Sequence, residues 1–275
     1  MTAKCFFDGR IVDQQSAGIA LSDRGFTLAD GVFETIRVRA GAVVDIQAHL
    51  DRLTGALECL AFPRLIHRWP DLGRHLEDTR EANAMADGVL RLTITRGKGV
   101  RGLAPAADAV PTVCITAAAL PSRPDRFTAV IATRTRRNEF SPLSRIKALG
   151  YLDNVIALQE AGECGADDAV LLNVRGNVAC FTTANLITRF GQDLVTPPVE
   201  EGVLPGTVRR RLLERLSITE RSLTPSDLEQ SDEIISTNSL GIRRVSALGG
   251  SIRPHGRPQG QELFDAASEV YRRLV

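Results

Sequence analysis

Along the first half of the chain, apolar and polar residues change period in a way that separates strands from helices. KCFFDGRIV (4–12) sets two short apolar runs around Asp8-Gly9, which predicts a hairpin. The polar stretch DRGFTLADG (23–31) reads as a loop. VFETIRV (32–38) alternates like a half-buried strand. A turn at Ala40-Gly41 and a further strand over 42–46 follow. From Gln47 to Leu60 the period lengthens: Leu50, Leu53, Leu57 and Leu60 recur at helical spacing, and more helix is expected through about residue 86. VLRLTITR (89–96) and TVCITAA (112–118) read as strands.

LPSRPDRF (120–127) carries two prolines and several charges, and reads as a linker. The pattern then restarts. FTAVIAT (127–133) is an expected strand, 149–163 a helix, and AVLLNV (169–174) a strand, with a turn at Gly176. A helix is expected from Pro205-Gly206-Thr207 to about Leu216, a strand at EIISTN (233–238) and an amphipathic helix over 260–274. Mixed strands and helices with hairpins early point to an α+β fold. We divide it into an N-terminal domain (1–119), a linker (120–126) and a C-terminal domain (127–275).

Composition narrows the class. The 275 residues are 43% hydrophobic and 24% charged, the balance of a soluble globular protein. A net charge of +1 gives no global field to attract nucleic acid or an anionic membrane. The arginine clusters TRTRR (133–137) and VRRRLLERL (208–216) read as solvated faces or phosphate neighbours, not RNA-binding stripes. No apolar run approaches the ~18 residues that span a bilayer. The N-terminus has no signal-like core. The five cysteines are scattered without a CxxC pair, which argues against zinc and disulfides and suits a reducing cytoplasm.

Candidate chemistry starts from a rarity. Only Lys4, Lys98 and Lys147 interrupt a chain whose other basic residues are arginine. Lys147 lies between Ile146 and the apolar Ala148-Leu149. A lysine can form a Schiff base and lose its proton near neutral pH, whereas an arginine can do neither. A plain surface lysine is the competing reading. GKGVRG (97–102) matches GxGxxG after a strand, but LAPAADAVP behind it is a poor helix and no acid follows at the right distance. The dinucleotide reading therefore fails. The loop is expected to be mobile, with Arg96 and Arg101 available to an anion. VLPGTVRR (203–210) offers a helix N-terminus with the Thr207 hydroxyl, either a phosphate site or an ordinary cap. STNSLG (236–241) ends a strand with small polar side chains. AHLDRL puts His49 and Arg52 on one helical stripe, where Arg52 is a phosphate clamp or a surface arginine. One lysine, one or two arginines and several phosphate-type backbone sites form the inventory for pyridoxal 5′-phosphate.

These segments, in this order, resemble the class IV aminotransferases, the fold-type IV pyridoxal-phosphate enzymes, over roughly residues 5–250. That family includes branched-chain and D-amino-acid aminotransferases and 4-amino-4-deoxychorismate lyase. DRGFTLADGVFETIRV is similar to the early signature. HLDRL carries the phosphate-binding arginine, here Arg52. SPLSRIKALGYLDNVIALQEA resembles the segment of the Schiff-base lysine, here Lys147, with Tyr151 a candidate for the ring hydroxyl. GADDAVLLNVRGNVACFTTANL resembles the segment that reaches the pyridine ring. GVLPGTVR and TNSLGIRRV resemble the phosphate cup, which implies Thr207, Val208 through its N–H, and Ser239. Arg101 lies where D-amino-acid relatives carry a substrate-carboxylate arginine. The resemblance implies a small N-terminal α+β domain, a larger C-terminal pseudo-barrel domain, the cofactor between them, and a homodimer.

The departures matter. Cys180 stands where the family pattern has a glutamate that keeps the pyridine nitrogen protonated. A cysteine is a weak donor and acceptor and is neutral below about pH 8.5. Ala29 replaces a usual glycine and Gly150 a usual asparagine. TNSLGIRRV is one residue short. The leading reading is an aminotransferase acting through Lys147 on an amino acid and a 2-keto acid. The alternatives are the lyase, which expels pyruvate and leaves 4-aminobenzoate, and a cofactor-binding protein with weak chemistry caused by Cys180.

Overall fold

The computed structural model describes residues 2–62, 71–249 and 262–274. The chain falls into two compact units. The first holds Met1–Pro121 together with Ile146–Gly150, and the second holds Ser122–Arg145 and Tyr151–Leu274.

In the first unit, β1 (Lys4–Phe7) and β2 (Arg10–Asp13) form the hairpin expected at Asp8-Gly9. There follow α1 (Arg24–Leu28), β3 (Gly31–Arg39), β4 (Ala42–Val43), α2 (Ile46–Cys59), α3 (Leu72–Ala82), β5 (Gly88–Thr95) and β6 (Thr112–Ala118). The strands make an antiparallel sheet in the order β2-β1-β6-β5-β3-β4. Strand alternation sends Val32, Ile36 and Val38 of β3 to one face, where they form a core with Leu53 and Ala56 of α2 and Leu76 of α3. Each is removed from water almost completely, which is worth ~1.5–3 kcal/mol for a large aliphatic side chain.

The second unit contains β7 (Arg126–Ile131), α4 (Leu152–Glu163), β8 (Asp168–Leu172), β9 (Val178–Phe181), β10 (Asn185–Phe190), β11 (Asp193–Thr196) and α5 (Thr207–Arg215). It continues with β12 (Ile218–Glu220), α6 (Pro225–Gln230), β13 (Glu233–Asn238), β14 (Gly241–Leu248) and α7 (Glu262–Arg272). Its eight strands run β12-β11-β10-β13-β14-β7-β8-β9. Ile187 of β10 and Ile235 of β13 pack with Val208 and Leu212 of α5 and Leu263 of α7. The α+β expectation holds, with each sheet curled into a half-barrel.

Three local expectations are corrected. The stretch read as a loop over 23–31 contains α1, because the Asp23 side chain accepts from Gly25 N–H at 2.7 Å and caps the helix start. The strand expected over 42–46 ends at Val43. The helix expected from residue 149 starts at Leu152, because residues 147–149 run antiparallel along β3. The helical expectation through residue 86 is met by α3, except over 63–70, which lie outside the described residues. So do 260 and 261 of the terminal helix. GKGVRG is followed by turns and not a helix, as the rejection of the dinucleotide motif required.

Candidate active site

Lys147 is held by its own backbone. Its carbonyl accepts from Phe33 N–H at 2.9 Å, and Leu149 N–H donates to the Gly31 carbonyl at 3.0 Å. Gly31 allows this approach: a Cβ there would lie 2.7 Å from Leu149 Cδ1 and 2.5 Å from the Ile94 carbonyl. The Lys147 Nζ sits 4.2 Å from the centroid of the Phe33 ring, and the Arg91 guanidinium lies 3.8 Å from the same centroid. Burial, with the positive charges of Arg52 and Arg91, pushes the Lys147 amine down to about 7 against the opposing pull of Glu34. Such an amine is half neutral at physiological pH.

Arg52 and His49, expected on one stripe of α2, meet at Glu34. Arg52 Nε and Nη2 donate to the two Glu34 oxygens at 2.8 and 2.6 Å, and His49 Nδ1 lies 2.7 Å from Oε2. Glu34 is 1% exposed. Burial raises its carboxyl, but the Arg52 charge and the His49 and Arg52 hydrogen bonds outweigh this and hold it at about 2. Glu34 was legible in principle: in VFETIRV it stands between Val32 and Ile36 on the core-facing face, where an acid needs a partner.

Arg101 is exposed on the loop after β5. The loop is strapped next to it. Arg24 Nη1 donates to the Gly102 carbonyl at 3.0 Å and Nη2 to the Leu103 carbonyl at 2.7 Å. Gly99 N–H donates to the Ser22 carbonyl at 2.9 Å. The expectation that Arg96 is available to an anion is overturned. Its side chain is buried, Nε donates to Asp30 at 2.8 Å, and Nη1 and Nη2 donate to the Ala61 and Leu60 carbonyls at 3.2 and 2.7 Å. Arg96 closes the end of α2 and is committed there.

In the second unit, Tyr151 is the N-cap of α4. Cys180 is buried on β9 opposite Leu171 of β8. Burial pushes its thiol up, with Asp168 adding to the rise and Arg137 opposing it. Cys180 is therefore a neutral thiol. Thr207 and Val208 open α5, whose N-cap Gly206 supplies no side-chain acceptor. Asn185 Nδ2 donates to the Leu204 carbonyl at 2.8 Å, and a Cβ on Gly206 would lie 2.0 Å from Asn185 Oδ1. Glycine is required for that approach, which leaves the first N–H groups of α5 without a cap side chain. Ser239 lies in the β13–β14 turn, and Tyr271 Oη donates to its carbonyl at 2.9 Å.

The arginine clusters are engaged within the fold. Arg134 pairs with Glu163, Arg137 donates to the Gly202 and Ser144 carbonyls, Arg209 pairs with Glu220, and Arg210 and Arg211 with Glu214. Among the described residues no helix is long and apolar enough to cross a membrane.

The model of the family "Amino-transferase class IV" matches residues 31–248, and the chain belongs to that family. A Methanocaldococcus jannaschii protein provisionally assigned as a branched-chain-amino-acid aminotransferase is 31% identical over 245 residues, 86% of this chain and 84% of that one. The crystal structure of 4-amino-4-deoxychorismate lyase from Pseudomonas aeruginosa superposes with a TM-score of 0.82 at 32% identity. It covers 95% of this chain and 97% of that one. A hypothetical aminotransferase from Mycobacterium tuberculosis, solved with α-ketoglutarate and pyridoxamine phosphate, gives a TM-score of 0.85 at 25% identity and covers 99% of each chain. Class IV aminotransferases are pyridoxal-phosphate enzymes, and transamination and lyase chemistry both occur among them.

Proposed function

We propose that this chain is a pyridoxal 5′-phosphate-dependent aminotransferase that moves an amino group between an amino acid and a 2-keto acid, with Lys147 as the lysine that carries the cofactor. The observation that carries the reading is the Lys147 amine itself, pinned along β3 and pushed down to about 7. The residues fit the cofactor on two further counts. The N–H groups of Thr207 and Val208 at the dipole-positive end of α5 suit a phosphate. The Thr237 Oγ1 is buried without a hydrogen-bond partner. Cys180 does not fit the family's acid, because a neutral thiol cannot hold a proton on a pyridine nitrogen.

When bound, the cofactor supplies an electron sink for the substrate carbanion. The chain's residues supply the rest. Thr207, Val208 and Ser239 would hold the phosphate, and Arg52, whose guanidinium plane Glu34 fixes, is the arginine the family resemblance assigns to it. Tyr151 would hold the ring hydroxyl. Arg101 takes the substrate carboxylate. The Lys147 Nζ would take the proton from the substrate Cα and hold it for return. A pKa near the working pH suits a group that must act first as base and then as acid.

The lyase is the second reading, and Cys180 favours it. Loss of pyruvate is driven by formation of an aromatic ring, so a weaker electron sink costs that reaction less. A homodimer and a cytoplasmic location belong to the same proposal. Leu152, Val155, Ile156 and Leu158 of α4 are exposed and apolar, which suits burial against a second copy. The division at 120–126 into a smaller N-terminal and a larger C-terminal domain completes it.

The test is a visible-absorbance titration of the apoprotein with pyridoxal phosphate, followed by L- and D-amino acids one at a time. Conversion of the lysine-bound cofactor band to the pyridoxamine band identifies the donor and its hand. A band that no amino acid discharges, but that aminodeoxychorismate turns over, assigns the lyase.

A further inference from the structure

Arg101 lies on a loop that burial does not hold. Residues 100–103 are exposed, and the apolar side chains beside Arg101, Val100 and Leu103, are 81% and 82% exposed. The loop is held instead by hydrogen bonds, and one residue supplies them on both sides of Arg101. The Arg24 N–H donates to the Gly97 carbonyl at 2.8 Å, where the loop leaves β5. The Arg24 guanidinium donates through Nη1 to the Gly102 carbonyl at 3.0 Å and through Nη2 to the Leu103 carbonyl at 2.7 Å. Between these points the loop lies on the Arg24 stem: a Cβ on Gly99 would stand 2.9 Å from Arg24 Cδ.

The guanidinium is itself aimed. Its Nε donates to Asp30 Oδ2 at 2.8 Å, which turns the other two nitrogens of the planar fork toward the loop carbonyls. The same oxygen accepts from Arg96 Nε at 2.8 Å, and Arg96 ends on the Leu60 and Ala61 carbonyls at the end of α2. Burial raises the Asp30 carboxyl, but the hydrogen bonds and charges of Arg96 and Arg24 outweigh it and hold the group below its ordinary range. Asp30 is therefore an anion at neutral pH, and both contacts are charge-assisted. With all three nitrogens bonded and the residue 5% exposed, the Arg24 side chain is committed to Asp30 and the loop. All of these contacts lie within the first unit.

We propose that Arg24, aimed by Asp30, is a positioning residue for Arg101: it fixes the loop on both sides, so that the Arg101 guanidinium is set for the substrate carboxylate before the substrate arrives. The assignment rests on the reading of Arg101 as the residue that takes that carboxylate. Holding the loop in advance removes an ordering cost that binding would otherwise bear. The gain is the same in the ground state and the transition state, so its loss raises KM and leaves kcat. Because Arg24 acts through Arg101, its effect on KM vanishes when the Arg101 side chain is removed. A merely structural arginine would show the same effect in both backgrounds.

The experiment is a double-mutant cycle in the full chain loaded with pyridoxal phosphate: wild type, Arg24→Gln, Arg101→Ala and the double variant, with Arg24→Lys and Asp30→Asn beside them. KM and kcat are measured for the substrate that wild type turns over, an amino acid or aminodeoxychorismate. Tryptic cleavage at Lys98 is followed in the apoproteins. Arg24→Gln is expected to raise KM about threefold to tenfold, the scale of ordering one long side chain, with kcat within about twofold and faster cleavage at Lys98. The double variant matches Arg101→Ala in KM. Arg24→Lys keeps a cation beside Asp30 but not the fork that spans two carbonyls, so its Tm lies closer to wild type than that of Arg24→Gln while its KM is still raised. Asp30→Asn raises KM in the same direction. A wild-type KM in Arg24→Gln, Arg24→Lys or Asp30→Asn overturns the proposal. So does an Arg24→Gln factor that is as large in the Arg101→Ala background as in wild type, the mark of general damage to the fold. If Arg101→Ala itself leaves KM unchanged, or wild type turns over neither kind of substrate, the functional reading falls and this assignment with it. Additive factors in an active enzyme sink Arg24 alone, so the two failures are distinguishable.

Discussion

The Lys147 Nζ lies 4.2 Å from the centroid of the Phe33 ring, while the Phe33 N–H holds the Lys147 carbonyl at 2.9 Å. One residue of β3 thus fixes the backbone of the lysine and covers its amine. Labelling of apoprotein Lys147 by an amine-selective reagent, read by mass spectrometry against pH, should be half-maximal near 7, whereas an ordinary lysine titrates near 10.5. Lys147→Ala should abolish turnover, and full activity in that variant would sink the mechanism.

The same shift has a stability consequence. Between pH 7 and 10.5 the unfolded chain binds a proton at Lys147 that the folded chain does not, so apoprotein stability gains from this group as pH rises through that window. Lys147→Met should stabilise the apoprotein most at pH 7 and below, with the difference fading towards pH 10.5. Urea denaturation at several pH values measures it.

Glu34 has the reverse sign. Its carboxyl is held at about 2 against an ordinary 4.5, so it contributes stability above pH 4.5 that is lost as pH falls towards 2. Glu34→Gln leaves Arg52 without its anion in a buried setting and should cost about 3–5 kcal/mol at pH 7. It should also move the Lys147 labelling midpoint lower, since Glu34 supports the ammonium form. An unchanged midpoint would separate the two groups electrostatically.

Cys180→Glu places a carboxyl on β9, where Arg137 is the opposing positive charge. Transamination turnover should rise at least tenfold, with a lower Tm because the position is buried. Unchanged turnover would mean that the thiol does not limit the electron sink.

The strap from Arg24 to the Gly102 and Leu103 carbonyls predicts a division of labour. Arg101→Ala, at an exposed position, should raise KM for the amino-acid substrate about tenfold or more while moving stability by less than about 0.5 kcal/mol. Arg24→Gln should speed proteolytic cleavage within 97–103, and equal cleavage rates would show that the strap does not hold the loop.

Much of this was readable from spacing. The period-two run at 32–38, the leucine spacing of α2 and the strand at 233–238 all stand where the pattern put them, because burial of one face or stripe acts locally on each segment. Lys147 was singled out by its rarity and its apolar neighbours. The segments it could not resolve were those with no face of their own. Residues 147–149 look like the start of a helix, yet they join the edge of β3, where hydrogen bonds to Gly31 and Phe33 outweigh helical propensity. Arg96 and Arg101 are indistinguishable in RGKGVR, but one is buried against Asp30 and the other is exposed.

The sequence by itself therefore determined the periodicities, the family and a short set of candidate side chains. Only the tertiary structure decided which charges are committed and which hydroxyl lacks a partner. The physical reason is range: hydrophobic period is written between residues two to four apart, whereas the acidity of Lys147 and the isolation of Thr237 depend on residues that folding brings near from distant parts of the chain.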